Sequence, residues 1–293
     1  MPILNAHDLQ LAYDSFGDEA GEVVLLIAGL GTQRLRWSQD FCQALAAQGY
    51  RVIRFDNRDT GQSTRFGHLG IPDFAALMAG KKPAAAYTLV DMAADAIGLL
   101  DALAIERAHV VGRSMGGMIA QLMAARYPQR VRSLTSIMAS TGNPALPPTA
   151  PDVMAMMMRP APDPQADRAG YLAHSVAFAQ RIAGSAQPFD EAAHVAVIEQ
   201  ELQHAGEPGG FARQLLAIAM TGDLRPQLAN VQAPTLVIHG NEDVLIHPAC
   251  GQDTAESIAG AEWLPVDGMG HDLPPVLHGQ VIAAIVRNAR RAC

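Results

Sequence analysis

Ser114 stands between two glycines in Gly112-Arg113-Ser114-Met115-Gly116, after the β-branched run His109-Val110-Val111 and before the helix-like run Gly117-Met118-Ile119-Ala120. A G-x-S-x-G turn from strand to helix lifts a hydroxyl off the carboxyl edge of a sheet, and its glycines give room for a tight backbone and a close helix. A serine hydroxyl attacks a carbonyl only if a base takes its proton and an acid orients the base. Both stand downstream. Asn241-Glu242-Asp243-Val244 follows the strand-like run Pro234–Gly240, and Gly268-Met269-Gly270-His271-Asp272 follows Glu262–Val266. Ser114, Asp243 and His271 thus occur, in that chain order, each just past the end of a strand.

The other groups near these loops fit the chemistry less well. Of ten histidines, His239 ends a strand and suits packing or a backbone hydrogen bond, His247 suits the start of a helix, and His278 falls on or near the last helix. Glu242 should point away from its neighbour, and Asp267 and Asp272 lie too close to His271 in sequence to orient it. Negative charge developing on a substrate oxygen calls for two backbone N–H donors. Met115, directly after the serine, supplies one. Leu30, in Ile27-Ala28-Gly29-Leu30-Gly31, supplies the other, with Gly29 and Gly31 letting the backbone approach.

Elements must hold these loops together. Apolar runs at Val23–Ile27, Arg51–Asp56, His109–Gly112, Ser133–Met138, Pro234–Gly240 and Glu262–Val266 read as strands separated by helix-periodic stretches, one of which starts at Thr88 with Asp91 in its first turn. Such alternation gives an α/β fold, a mostly parallel sheet with helices on both faces. The alternation stops after about Thr141 and resumes near Val231, which divides the chain into a core of residues 1–141 and 231–293 and an inserted helical cap of residues 142–230. The cap is Ala- and Met-rich and broken at Pro160, Pro162, Pro164, Pro188 and Pro208-Gly209-Gly210. Met154, Met157 and Met158 are expected to contact substrate there; Met156 and Met220 are placed with them, and ordinary core packing is the competing reading for all five.

Composition narrows the class. A net charge of −8 over 293 residues, with only Lys81-Lys82 and Arg290-Arg291 as basic pairs, argues against a nucleic-acid partner. The longest apolar run, Val23 to Leu30, is far short of the roughly 20 residues that cross a bilayer, so no membrane partner is expected. Cys42, Cys250 and Cys293 form no CxxC pair and read as free thiols, with no metal site. A cytoplasmic location is expected, and the helical insertion is as able to form a homodimer as to gate a pocket.

The chain resembles the α/β-hydrolase superfamily with a helical cap, on "GRSMGG", "NEDV", "GMGHDLP" and "FDNRDTGQST". "RDTGQST" and "GMGHDLPPVLHG" look most like the branch containing aclacinomycin methylesterase, while "AGLG" replaces the His-Gly that many relatives carry. The resemblance implies hydrolysis of a small-molecule ester through an acyl-enzyme, with no cofactor. A serine in the turn departs from haloalkane dehalogenases and epoxide hydrolases, which use aspartate there. Methylesterase, lactonase, amidase, perhydrolase, carbon–carbon hydrolase and acyltransferase activities stay open, as does a ligand receptor on the same scaffold. Residues Asp56 to Ser63 are expected to tie a loop together.

Overall fold

The computed structural model describes residues 2–73, 85–204 and 209–292; Lys81, Lys82, Pro208 and Cys293 lie outside them. Its strands are Ile3–Ala6 (β1), Leu9–Phe16 (β2), Glu22–Ile27 (β3), Tyr50–Phe55 (β4), Ala108–Arg113 (β5), Val131–Ile137 (β6), Thr235–Gly240 (β7) and Glu262–Val266 (β8). They form one sheet in the order β1-β2-β4-β3-β5-β6-β7-β8. From β4 to β8 every pairing is parallel, while β1 and β2 are antiparallel to their neighbours. The six expected strands are present within two residues at either end. The edge hairpin β1–β2 is an addition to the six expected strands, turned at His7, whose φ is +52°.

Helices fill the connections: Gln39–Ala46 (α1), Leu89–Ala102 (α2), Met115–Arg126 (α3), Pro151–Met158 (α4), Arg168–Ile182 (α5), Glu191–Leu202 (α6), Gly210–Thr221 (α7), Arg225–Leu228 (α8), Pro248–Glu256 (α9) and Pro275–Arg290 (α10). Helix α2 starts as expected, with the Thr88 N–H and hydroxyl each donating to Asp91 Oδ2 at 2.7 Å. Alternate strand residues enter opposite cores. Leu25, Ile27, Val110 and Leu134 pack with Met92, Ala96, Ile119 and Met123 of α2 and α3. Val24, Leu26, Val111 and Ile238 pack with Phe41, Leu45, Val281 and Ile285 of α1 and α10. Covering both faces is why these strands are almost uninterruptedly apolar.

The parallel strands end in register, Ile27 beside Gly112, Arg113 beside Ile137, and Ile137 beside Ile238. Every loop that follows one of them therefore emerges on the same edge. Because β3 continues to β4 on one side while β5 lies on its other, the chain reverses direction across the sheet at β3 and β5, the kind of switch point at which open α/β sheets bind ligands.

Between β6 and β7 the chain runs through α4 to α8, with no strand among the described residues. This excursion closes on itself: the Leu224 N–H donates to Thr141 O at 2.7 Å, and a Cβ on Gly142 would overlap the carbonyl of Gly222. Among the described residues no helix is long and apolar enough to cross a membrane. Cys42 and Cys250 are free and buried, and burial pushes the Cys42 thiol up to about 12.

The excursion carries a pH-sensitive contact with the core. His194 of α6 lies 3.1 Å from Ser175 Oγ and 3.5 Å from Arg36 Nη1. Burial, and then the Arg36 charge, lower its pKa to about 4. The unfolded imidazole titrates near ~6.5, so between that pH and about 4 the unfolded chain holds a proton that the folded chain lacks, and stability falls as pH falls. We expect denaturant titrations to show the wild type losing more stability than His194→Gln over this window, and parallel losses would refute the assignment.

Candidate active site

Ser114 sits at the junction of β5 and α3 with φ +55° and ψ −127°, outside the regions that ordinary residues favour. Neighbouring backbone holds it there. The Ser114 N–H donates to Ile137 O at 2.9 Å, and its carbonyl accepts from Gly117 and Met118 at 2.8 and 3.2 Å. Glycine is needed around it because the chains touch. A Cβ on Gly112 would overlap the Gly116 carbonyl, one on Gly116 would overlap Ile27 O and come within 2.6 Å of Ala28 O, and one on Gly117 would lie 2.5 Å from Ala139 Cβ. The start of α3 is thereby pressed onto the end of β3.

His271 joins the serine to the acid. Its Nε2 is 3.0 Å from Ser114 Oγ and its Nδ1 is 2.7 Å from Asp243 Oδ2. The His271 side chain is 7% exposed and that of Asp243 not at all. The other carboxylate oxygen of Asp243 accepts from the Leu245 and Ile246 amides at 2.9 and 2.8 Å. Burial alone would raise the Asp243 pKa, but the histidines His271 and His239 outweigh it and hold the carboxyl well below the usual range. Asp243 is thus an anion at any ordinary working pH.

The loop after β3 lies against the serine: a Cβ on Gly29 would be 3.3 Å from Ser114 Cβ and 3.7 Å from Ser114 Oγ. The Leu30 and Met115 amides, one on this loop and one at the first position of α3, donate to no acceptor among the described residues. A helix's first N–H groups have no partner within the helix. The next amide, Gly31, is taken by Gln214 Oε1 at 2.8 Å, and Gln214 Nε2 donates to Arg58 O at 2.7 Å.

Gln214 belongs to α7, so the excursion after β6 reaches this loop directly, and it reaches the other two as well. Arg213 pairs with buried Asp59 at 2.7 Å, and Glu201 of α6 holds Arg36 Nη2 at 2.7 Å. The end of α5 and the stretch after it strap the histidine loop: the His271 N–H donates to Ile182 O at 2.8 Å, Ala186 N–H to Gly268 O at 2.8 Å, and Gly184 N–H to Asp272 Oδ1 at 3.2 Å. Ahead of α4, Thr149 Oγ1 donates to Leu245 O at 2.7 Å and Ala150 N–H to Val244 O at 3.1 Å, beside Asp243. None of these contacts had a readable spacing in the sequence; each joins residues far apart in the chain.

The remaining sequence expectations find these places. Glu242 points away, accepting from Ser185 Oγ at 2.7 Å, and Asp267 accepts from Asn241 at 2.6 Å. His247 caps α9 with Nδ1 accepting from the Ala249 N–H, and His278 lies in α10. Asp56 is buried within its loop, paired with Arg34 and accepting from the Gln62 N–H at 3.0 Å, as a loop-tying segment should be. Met154 and Met158 are 38% and 49% exposed and Met157 is half-buried, whereas Val153 is the buried residue of α4. Their exposure is at odds with core packing, the competing reading, and leaves them a surface of a helix rooted beside Asp243. A small cleft bounded by Trp37, Phe41, Leu273 and His278 contains none of Ser114, Asp243 and His271. Among the described residues no cluster of histidine, cysteine and carboxylate side chains is arranged to hold a metal ion.

The sheet, the serine turn and the ordered loops at one edge define an α/β hydrolase. The family model for the alpha/beta hydrolase fold matches residues 22–274, and the chain belongs to that family. It is 31% identical to rhodomycin D methylesterase DauP of a Streptomyces species, over 99% of this chain and 98% of that protein. It is also 28% identical to 3-oxoadipate enol-lactonase 2 of Acinetobacter baylyi, over 87% of this chain and 84% of that one. The crystal structure of an enol-lactonase from Burkholderia xenovorans shares the fold, with a TM-score of 0.70, 23% identity and 99% coverage of both chains.

The turn predicts its own fragility. Gly116→Ala must push β3 and α3 apart, and overpacking of this kind costs about 1–3 kcal/mol or more. We expect the variant to lose at least that in chemical denaturation and to lose reactivity at Ser114 in whatever fraction still folds. A variant of wild-type stability would show that the contact yields without cost.

Proposed function

We propose that this chain is a serine carboxylesterase working through an acyl-enzyme, and the observation that carries the reading is the His271 imidazole bonded at once to Ser114 Oγ and Asp243 Oδ2, at 3.0 and 2.7 Å. Ser114 Oγ attacks the ester carbonyl carbon as His271 Nε2 takes its proton. The carbonyl oxygen becomes an oxyanion and accepts from the Leu30 and Met115 amides. The bond to the alkoxy oxygen then breaks, and His271 returns the proton to the departing alcohol. Water repeats the sequence on the acyl-enzyme: His271 takes its proton, the acid forms, and Ser114 recovers its hydrogen. Asp243, held ionised, orients His271 and offsets its transient positive charge. The scheme uses no cofactor.

The helical segment of residues 142–230 acts in this scheme as a cap over the serine. Its contacts with the loops of Leu30, Asp243 and His271 support that placement, and the charges it brings to them are paired, Arg213 with Asp59 and Glu201 with Arg36. A small-molecule ester that is neutral and apolar suits such a lining, with Met154, Met157 and Met158 on its α4 wall. Methyl esters and lactones, the substrates that the relatives' names indicate, break at the same acyl–oxygen bond. Buried free thiols at Cys42 and Cys250 agree with a cytoplasmic setting.

Ser114→Ala should lower kcat for p-nitrophenyl acetate by about 10⁴-fold while the fold persists, from the behaviour of serine triads. A fluorophosphonate should label the wild type once, at Ser114; stoichiometric labelling elsewhere overturns the assignment. Steady turnover past a few events per chain separates an enzyme from a ligand receptor.

The cap reading makes a separate claim. Changing Met154, Met157 or Met158 to alanine should alter the kcat/KM ratio between acetate and longer esters, with one buried methylene worth about 1–3 kcal/mol of discrimination. An unchanged ratio across the series would place selectivity in the loops of Leu30 and Met115 instead.

A further inference from the structure

A second histidine touches the acid. His239 is the penultimate residue of β7, four positions before Asp243, and neither side chain has any solvent exposure. Its Nε2 lies 2.8 Å from Ile246 O and 3.2 Å from Asp243 Oδ2, the same oxygen that His271 Nδ1 reaches at 2.7 Å. Both neighbours of Nε2 are acceptors, so Nε2 carries the hydrogen. Nδ1 is buried without a partner and abuts α9, where a Cβ on Gly251 would overlap it. A proton on Nδ1 would be a buried donor with no acceptor on a buried cation, so the ring is the neutral Nε2–H form.

We propose that His239 is a positioning residue for the reaction at Ser114, its shared Nε2–H pinning Asp243 Oδ2 where His271 meets it and moderating that oxygen's hold on the His271 proton. The proposal rests on the esterase reading above. Asp243 Oδ1 is already fixed by two loop amides. Oδ2 would have His271 as its one partner without His239, and a carboxylate oxygen with fewer donors binds a proton more strongly. The other titratable groups nearby leave this role open. Cys250 of α9 lies near Asp243, its thiol raised by burial, Asp253 of the same helix accepts from Thr141 and Asn143, and Asp272 beside His271 accepts from the Gly184 and Gly270 amides. Trp263 of β8 contributes only a tilted ring, 6.3 Å from that of His239.

Two variants and one spectrum test this. His239→Phe fills the volume without a donor, while His239→Gln puts an amide nitrogen near the place of Nε2. In His239→Phe we expect kcat for p-nitrophenyl acetate to fall about tenfold, as one hydrogen bond to a charged group is lost, and the acid limb of the pH–rate profile to rise by about half a unit. His239→Gln should recover most of both effects, which a merely space-filling role would not allow. Nitrogen-15 NMR of the histidines in the intact wild type should show His239 protonated on Nε2 and bare on Nδ1. A protonated Nδ1, a glutamine variant no better than phenylalanine, or an unmoved acid limb in His239→Phe overturns the proposal. The spectrum needs no activity and no folded variant, so it still decides the tautomer if Ser114→Ala shows that another serine does the chemistry.

Discussion

The close approach of β3 and α3 is the constraint on which this site depends. Ser114 is held at φ +55° by hydrogen bonds to the ends of β6 and α3, and a strained residue of this kind persists only where its surroundings over-determine it. Glycines at 112, 116 and 117 let three backbones meet without a Cβ between them. The same contact that strains the serine brings the Gly29–Gly31 loop against it, so the hydroxyl and the amides beside it share one origin. A change that relaxes either moves both.

The remaining loops are held from the far side of the sheet edge. Gln214 fixes the Gly31 amide, Ile182 and Ala186 bind the histidine loop, and Thr149 and Ala150 bind the loop of Asp243. The helical segment is therefore a scaffold for the loops, and buried hydrogen bonds of this sort cost more to leave unmade than they contribute when formed. Rigidity at the site comes from two directions, strands below and helices above. Arg213 and Asp59, both buried, add an ion pair whose removal on one side would strand the other charge.

Much of this was legible in the sequence because it is local. The six parallel strands announce themselves as apolar runs, the serine turn by its glycines, and the loops of Asp243 and His271 by the strands before them. The hairpin at the N-terminus is hard to read, although Leu9, Leu11 and Tyr13 alternate as a strand should, because the alternation is short and half-buried. The methionines of α4 show the limit of composition: their spacing suits a buried face, yet Val153 takes it. Gln214, Glu201 and Ile182 act through contacts with residues far away in the chain, and no spacing rule reaches that far. At the end of a strand His239 suits packing or a backbone hydrogen bond, and it has the bond, to Ile246 O, but its reach to Asp243 Oδ2 depends on how the following loop curls.

The junction at Thr141 and Leu224 has an evolutionary consequence. Because the chain leaves and rejoins the core at one hydrogen bond, the sheet senses the whole helical excursion as if it were a short connection. The entropy of closing a loop grows only slowly with its length, so insertions and deletions inside the excursion leave the junction, and with it the order of strands β6 and β7, nearly undisturbed. Descendants of such a chain are free to lengthen or shorten the excursion between its contacts with the loops of Gly31, Asp243 and His271, and diversity among them should accumulate in those intervals.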